Sequence, residues 1–316
     1  MFSKAAEISH TTQARRGIVA IALAITFAIA EVTAQAGIEK GQSTFDTPVA
    51  AAKALADAVK AKNTTAIVEM LGPDAPDLAR SGDDVADKAR LTDFAKRVAE
   101  LIAVTTTTAD SANIVIGKER WPFPIPLARV DNKWFFDTKA GREEILNRRI
   151  GQNELSTIKV MRAFVAAEKE YFEMDPDGDG VKAYAAKLIR DEGKKNGLFW
   201  PAAAGEKPSP MGPMVAEAQA EGYSKQGQAY HGYYFKGLKR QGLKAAGGAK
   251  SYLVKDQMTG GFALLAYPAE YGDSGIMTFI VNQDGKILEK DLGKNTEAAA
   301  KQITEFNPDK GWKSAD

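Results

Sequence analysis

The chain has 316 residues, with 42 Lys+Arg against 41 Asp+Glu, a formal net charge of +1 at pH 7, and no cysteine. A balance this close to neutral gives no electrostatic basis for binding nucleic acid or an anionic membrane surface. The missing thiols exclude disulfides, cysteine-ligated metals and lipid attachment through a cysteine.

Residues 1–36 read as an export signal. Lys4, Arg15 and Arg16 form a positive n-region, residues 17–30 are almost wholly apolar, and Ala34-Gln35-Ala36 supplies a small-x-small cleavage site. The apolar run is shorter than the ~20 residues a membrane-spanning helix needs. The expected mature form therefore starts at Gly37, has no membrane span, and resides in the periplasm or outside the cell. Its length of about 280 residues suits two domains better than one. Without disulfides, each domain depends on its own apolar core.

The first domain is expected over residues 45–149. Thr47-Pro48 starts a helix, with a capping hydroxyl and proline at the first helical position. Val49, Ala52, Leu55, Ala56 and Val59 follow at helical spacing. Asn63 opens a second helix through Ile67, Val68 and Leu71, stopped by Gly72-Pro73. A third helix is predicted over residues 87–103, with Leu91, Phe94, Val98 and Leu101 on one stripe. Strands follow at 113–116, 124–130 and 133–137, the last two joined by Asp131-Asn132. Helices followed by strands make a small α+β domain. Their order resembles the cone-shaped domains of the nuclear-transport-factor-2-like superfamily.

The second domain is expected over residues 150–316, with 141–149 as the bridge. An amphipathic helix is predicted over 153–172, with Leu155, Ile158, Met161, Val165 and Phe172 on one side. Residues 175–180 break it, and a further helix is predicted over 181–189. A Gly-, Pro- and aromatic-rich stretch follows, with a short helix at 213–221 and a strand at 230–238. Three strands at 262–267, 276–281 and 286–292 come next, the last two turned by Asn282-Gln283-Asp284-Gly285. A closing helix covers 296–306. The fold class read from this pattern is α+β in two domains, the second a long helix packed on an antiparallel sheet.

The runs WPFPIPL, RRIGQNEL, GLFWP, SPMGP, AYHGYYFKGL and AYPAEYGDSGIMTFIVNQDGKILEKDLG together resemble a bacterial exported family, domain of unknown function 2950. That resemblance implies a location and no activity. A long helix followed by GYYF, GGFALLAYP and YGDSGIMTFIVNQDG is also similar to the globular heads of pilins and pseudopilins. It implies a helix laid on an antiparallel sheet. Pilins carry their helix at the very start of the chain, so the fold is borrowed and the filament assembly is not.

Chemistry-bearing motifs are few. Gly272-Asp273-Ser274-Gly275 echoes the nucleophile segment of trypsin-like proteases, yet His231 is the only histidine outside the signal. The triad needs its base in a defined setting, so Ser274 reads as a turn residue and His231 as a strand residue near a turn. Asp175, Asp177 and Asp179, followed by Gly180, match the opening of a calcium loop. The ninth position is Ala183 and the twelfth Ala186, where the ligand set calls for a bidentate glutamate. The expectation is at most weak calcium binding there, against a solvated turn. Glu143-Glu144 and Asp83-Asp84 read as solvated faces. The aromatic segments 121–126 and 198–201 read as packing at a domain joint, with an exposed groove as the alternative. No catalytic residue and no cofactor is assigned.

Two functional readings follow. The first is a non-enzymatic binding or interaction module whose partner is another exported or envelope protein or a glycan. The alternative is an exported hydrolase of a cell-wall or glycan substrate, working through carboxylates. Ligand capture inside the first domain is a third idea, resting on fold analogy.

Overall fold

Thr47 opens the regular structure in the manner its sequence implies. In a computed structural model describing residues 37–315, apart from 107, 177, 204, 225 and 226, its hydroxyl accepts the Ala50 N–H at 3.1 Å. That caps helix α1 (Pro48–Lys60), which buries Ala51, Ala52, Leu55, Ala58 and Val59 on one face. Asn63 caps α2 (Thr64–Leu71), and Gly72 ends it at φ 89°. A single turn, α3 (Ala75–Leu78), leads to α4 (Asp84–Glu100), capped by the Asp83 carboxylate.

The helix expected to run to residue 103 stops earlier, because Ile102–Thr106 forms strand β1. Its sequence, IAVTT, is rich in β-branched residues, which prefer the pleated sheet. Strand β2 (Ser111–Ile116) pairs antiparallel with β1 and sends Ala112, Ile114 and Ile116 inward. Short strands β3 (Trp121–Pro122), β4 (Leu127–Val130) and β5 (Lys133–Phe136) complete a sheet in the order β1-β2-β4-β5, with β3 on β2. Asp131 and Asn132 turn β4 into β5 with both φ positive, at 50° and 60°, as a two-residue hairpin requires.

The next element departs from expectation. Helix α5 (Thr138–Met174) runs unbroken for 37 residues, through the stretch read as a bridge and past the expected boundary at 149/150. No proline falls between Pro126 and Pro176 to stop it. Gly141 is essential to its start, since a Cβ there would sit 2.9 Å from the Ile125 Cα. Along the predicted stripe Met161 and Val165 are buried, but Leu155 is 63% exposed, and Phe164 packs inward instead. The helix ends at Asp175, with φ 44°.

Residues 181–189 do not form the expected helix. Their backbone is drawn into isolated bridges, Tyr184 with Met258 and Ile189 with Phe199, which helical geometry would forbid. Helix α6 (Gly212–Glu221) precedes β6 (Tyr233–Leu238), β7 (Arg240–Gln241) and β8 (Lys250–Ser251). Then come β9 (Ala263–Pro268), β10 (Met277–Asn282), β11 (Leu288–Asp291), α7 (Thr296–Gln302) and β12 (Lys313–Ser314). Strands β12-β11-β10-β9-β6 form the second sheet, antiparallel throughout, and β7 pairs β8 separately. The 282–285 turn closes with Gly285 N–H donating to the Asn282 carbonyl at 2.9 Å, at a Gly285 φ of 80°.

The fold is α+β, with N-terminal helices and a five-stranded antiparallel sheet followed by a long helix on a second five-stranded antiparallel sheet. Residues 36–316 form one compact unit holding two apolar clusters. One gathers α1, α2, α4 and the first sheet, and Ile145 of α5 packs against it. The other takes Met161, Phe164, Val165, Ala167 and Tyr171 of the same helix against the second sheet. Strand β10 is buried on both faces from Thr278 to Asn282. No helix among the described residues is long and apolar enough to cross a membrane.

Candidate functional site

The α4 stripe explains where the opening lies. Val98 goes into the core, but Leu91, two turns earlier on the same face, stays 56% exposed. Phe94 and Ala95 are half-buried beside it. The three wall a chamber of about 460 Å³ together with Ile67 and Val68 of α2, residues of the α3 turn, Phe123, Ile125 and Ile145. Apart from Lys62 and Thr64, every lining residue is apolar. Phe94 and Phe123 stack across it at 5.5 Å, and Phe123 stands edge-on to Phe136 behind. Its volume lies within the usual range for small-molecule sites.

Beside the chamber lies a second opening, the mouth, of about 380 Å³, which shares Leu78, Ala79, Leu91, Phe94, Phe123 and Ile145 with it. Four arginines, Arg90, Arg97, Arg148 and Arg149, line that mouth against two carboxylates, Asp87 and Asp93. Trp121, 37% exposed, stands between Arg148 at 4.5 Å and Arg97 at 5.9 Å from its ring centroid. Arg148 also donates to the Glu144 carboxylate at 2.6 Å and to the Pro122 carbonyl at 2.7 Å. Arg97 donates to Asp93 at 2.7 Å. Burial lowers the pKa of Arg90 even though Asp87 opposes it.

Arg149 is different in kind. Its buried guanidinium donates to the carbonyls of Leu78 and Arg80 and to the carboxylate of Asp273. It thus ties α5 to the α3 turn and to the 270–275 turn of the second half. Burial raises the Asp273 carboxyl, with Arg149 pulling the other way. Beside this tie, Asp83 is 2% exposed and accepts from the Ala86 N–H, the Tyr223 hydroxyl and the Gly232 N–H at 2.8–3.0 Å. That corrects its reading as a solvated residue. Burial, aided by the bond to Asp83, pushes the Tyr223 phenol far up. Asn153 donates to the Ser274 carbonyl at 2.8 Å, closing the joint.

The residues singled out from sequence do not converge on this chamber. Ser274 is fully buried, and its hydroxyl both accepts the Glu270 N–H at 2.9 Å and donates to the Glu270 carbonyl at 3.1 Å. His231 lies in the turn before β6, not on the strand, at φ 48°, with Nε2 3.2 Å from Glu221. Asp175 accepts the Gly180 N–H at 3.1 Å while its other oxygen is buried without a partner. Asp179 accepts from the Val181 N–H and the Gln257 amide, and Asp177 lies outside the described residues. Among the described residues no group of three or more His, Asp or Glu side chains is placed to share a metal ion. Of the aromatic segments, Leu198 and Trp200 pack in the second core, whereas Trp121 stands at the mouth.

Carboxylates with raised pKa are scattered. Glu168 is pushed up to about 8 by burial, opposed only by the Ala185 N–H. Glu289 is raised by burial and then by Glu154, but Glu154 is occupied with the N–H groups of Ile276 and Met277 at 3.0 Å. Neither Glu168, Glu289 nor Asp273 lines the chamber or its mouth.

Residues 42–315 match the family described as Protein of unknown function (DUF2950). The chain belongs to the DUF2950 family. No curated protein and no solved structure matches it. The site of this DUF2950 protein therefore has to be read from its own geometry. Four arginines, two aspartates and one tryptophan line the opening beside the apolar chamber.

Proposed function

We propose that this DUF2950 protein is an exported, non-enzymatic binding module whose ligand enters the chamber between α2, α4 and α5. One observation carries the reading: an apolar chamber of about 460 Å³ has at its wall Leu91, 56% exposed to solvent. Leaving such surface uncovered forgoes roughly 25 cal/mol for each Å² a ligand would bury. Export rests on the signal read in residues 1–36, which lie outside the described residues. The comparison with pilin heads is part of the same proposal, supported by α5 lying on the second sheet, and it would make that half the scaffold for contacts with another envelope component.

The test is native mass spectrometry of the protein recovered from its own envelope fraction, beside an Ala95→Phe variant that fills the chamber. A co-purifying molecule present with the native chain and lost from the folded variant is the expected result. Hydrolysis of cell-wall material by the purified protein, unaffected by filling the chamber, would overturn the proposal in favour of a carboxylate hydrolase.

A further inference from the structure

The binding reading leaves the ligand's chemistry open, and the mouth supplies it. Resting on that reading, we infer that the chamber takes an amphiphile, one alkyl chain in the apolar interior with an anionic head among Arg90, Arg97 and Arg148. Chamber and mouth adjoin, with Leu78, Ala79, Leu91, Phe94, Phe123 and Ile145 lining both. A ligand seated in the first and emerging past these residues meets the second.

The charge at the mouth selects the head. Its lining carries four arginines against Asp87 and Asp93. Arg149 is committed to two carbonyls and Asp273 and acts as scaffold. Arg97 and Arg148 are held differently. Each pairs with a part-exposed carboxylate one turn away on its own helix, Asp93 and Glu144; Arg97 also lies 3.7 Å from the exposed Glu119, and Arg148 also donates to the Pro122 carbonyl. Pairs of that kind contribute little and exchange readily for another anion. A guanidinium presents a planar fork of donors suited to carboxylate or phosphate. Trp121 holds both forks near its ring, at 4.5 Å and 5.9 Å from the centroid, so they are placed before a ligand arrives. A neutral apolar ligand would leave these groups unused.

Isothermal titration of the full chain with dodecanoate, dodecyl phosphate and dodecanol tests this. Both anions are expected to bind, and dodecanol about tenfold or more weakly, the contribution of one charge-assisted hydrogen bond. Arg97→Gln with Arg148→Gln should weaken the anions by about the same factor and leave dodecanol unchanged. Ala95→Phe should abolish all three, with Ala75→Phe as a second filling variant if the first fails to fold by circular dichroism. Sedimentation with phosphatidylglycerol vesicles, lost in the double arginine variant, would assign a membrane lipid as the source. Binding of dodecanoate without such sedimentation would assign a free acid. Equal affinity for dodecanol and dodecanoate, indifferent to the arginines, would overturn the amphiphile while leaving the binding module intact. Failure of every alkyl probe in the folded native chain would overturn the chamber reading itself.

Discussion

Arg148 holds its guanidinium 4.5 Å from the centroid of the Trp121 indole, so a residue of the long helix α5 is stacked on a residue of the short strand β3. The same guanidinium reaches the Pro122 carbonyl, fixing β3 at backbone and side chain together. The rim of the chamber is thereby made part of the helix that also supports the second sheet.

That stacking should be measurable as a coupling. In a double-mutant cycle of Arg148→Ala and Trp121→Ala by urea denaturation, we expect an interaction of about 0.5–1 kcal/mol. The cycle removes the Arg148 bond to Pro122 from the comparison, because both arginine variants lose it. Strict additivity would mean that the two groups are merely adjacent.

Arg149 should matter far more to stability. Arg149→Met leaves the Leu78 and Arg80 carbonyls without their donor and Asp273 without its cation. Breaking a buried ion pair from one side costs about 3–5 kcal/mol. Arg149→Lys should recover only part of this, since an ammonium lacks the planar fork that reaches three acceptors at once. A melting temperature within a degree or two of the native protein for Arg149→Met would contradict the assigned role.

Much of the fold was legible because local signals and tertiary packing agree. Thr47-Pro48, Asn63 and Gly72 mark helix ends through caps whose bonds involve near neighbours, and Asp131-Asn132 marks a hairpin through φ. The misreadings fall where distant residues decide. Residues 181–189 have helical composition, but Met258 and Phe199 take their backbone into bridges. Leu155 fits the α5 stripe, yet it stays 63% exposed. Asp83 looks like a surface acid beside Asp84 until Tyr223 and Gly232, some 140 residues later, close over it. The chamber was the least legible feature. Its walls come from four separate segments, and an apolar residue facing an opening looks in sequence like one facing a core. Leu91 carried that ambiguity.

Ser274→Ala should be almost silent. The hydroxyl bonds only within its own turn, to the Glu270 backbone, so its loss should cost about 1 kcal/mol. A fully buried side chain with these partners should not react with a fluorophosphonate probe. Covalent labelling at Ser274 would reopen the protease-like reading of the turn.

Glu168 should make stability depend on pH. Its carboxyl is buried on α5 with the Ala185 N–H as hydrogen-bond donor and the Tyr184 phenol nearby, and burial pushes its pKa from 4.5 to about 8. The unfolded chain ionises this group near the ordinary glutamate value, while the folded chain keeps its proton until about pH 8. Folding therefore takes up a proton between those two values. The contribution to stability is whole below about pH 4.5 and is lost as pH rises toward 8, at up to about 1.4 kcal/mol per pH unit. Above that range both states are ionised and the slope vanishes. Glu168→Gln keeps the shape and an oxygen for the Ala185 N–H but cannot ionise. Denaturation midpoints taken from pH 5 to pH 8 should fall for the native chain and stay nearly flat for the variant. The variant should be the more stable of the two at the alkaline end. Parallel curves for the two proteins would show that Glu168 is already ionised inside the fold.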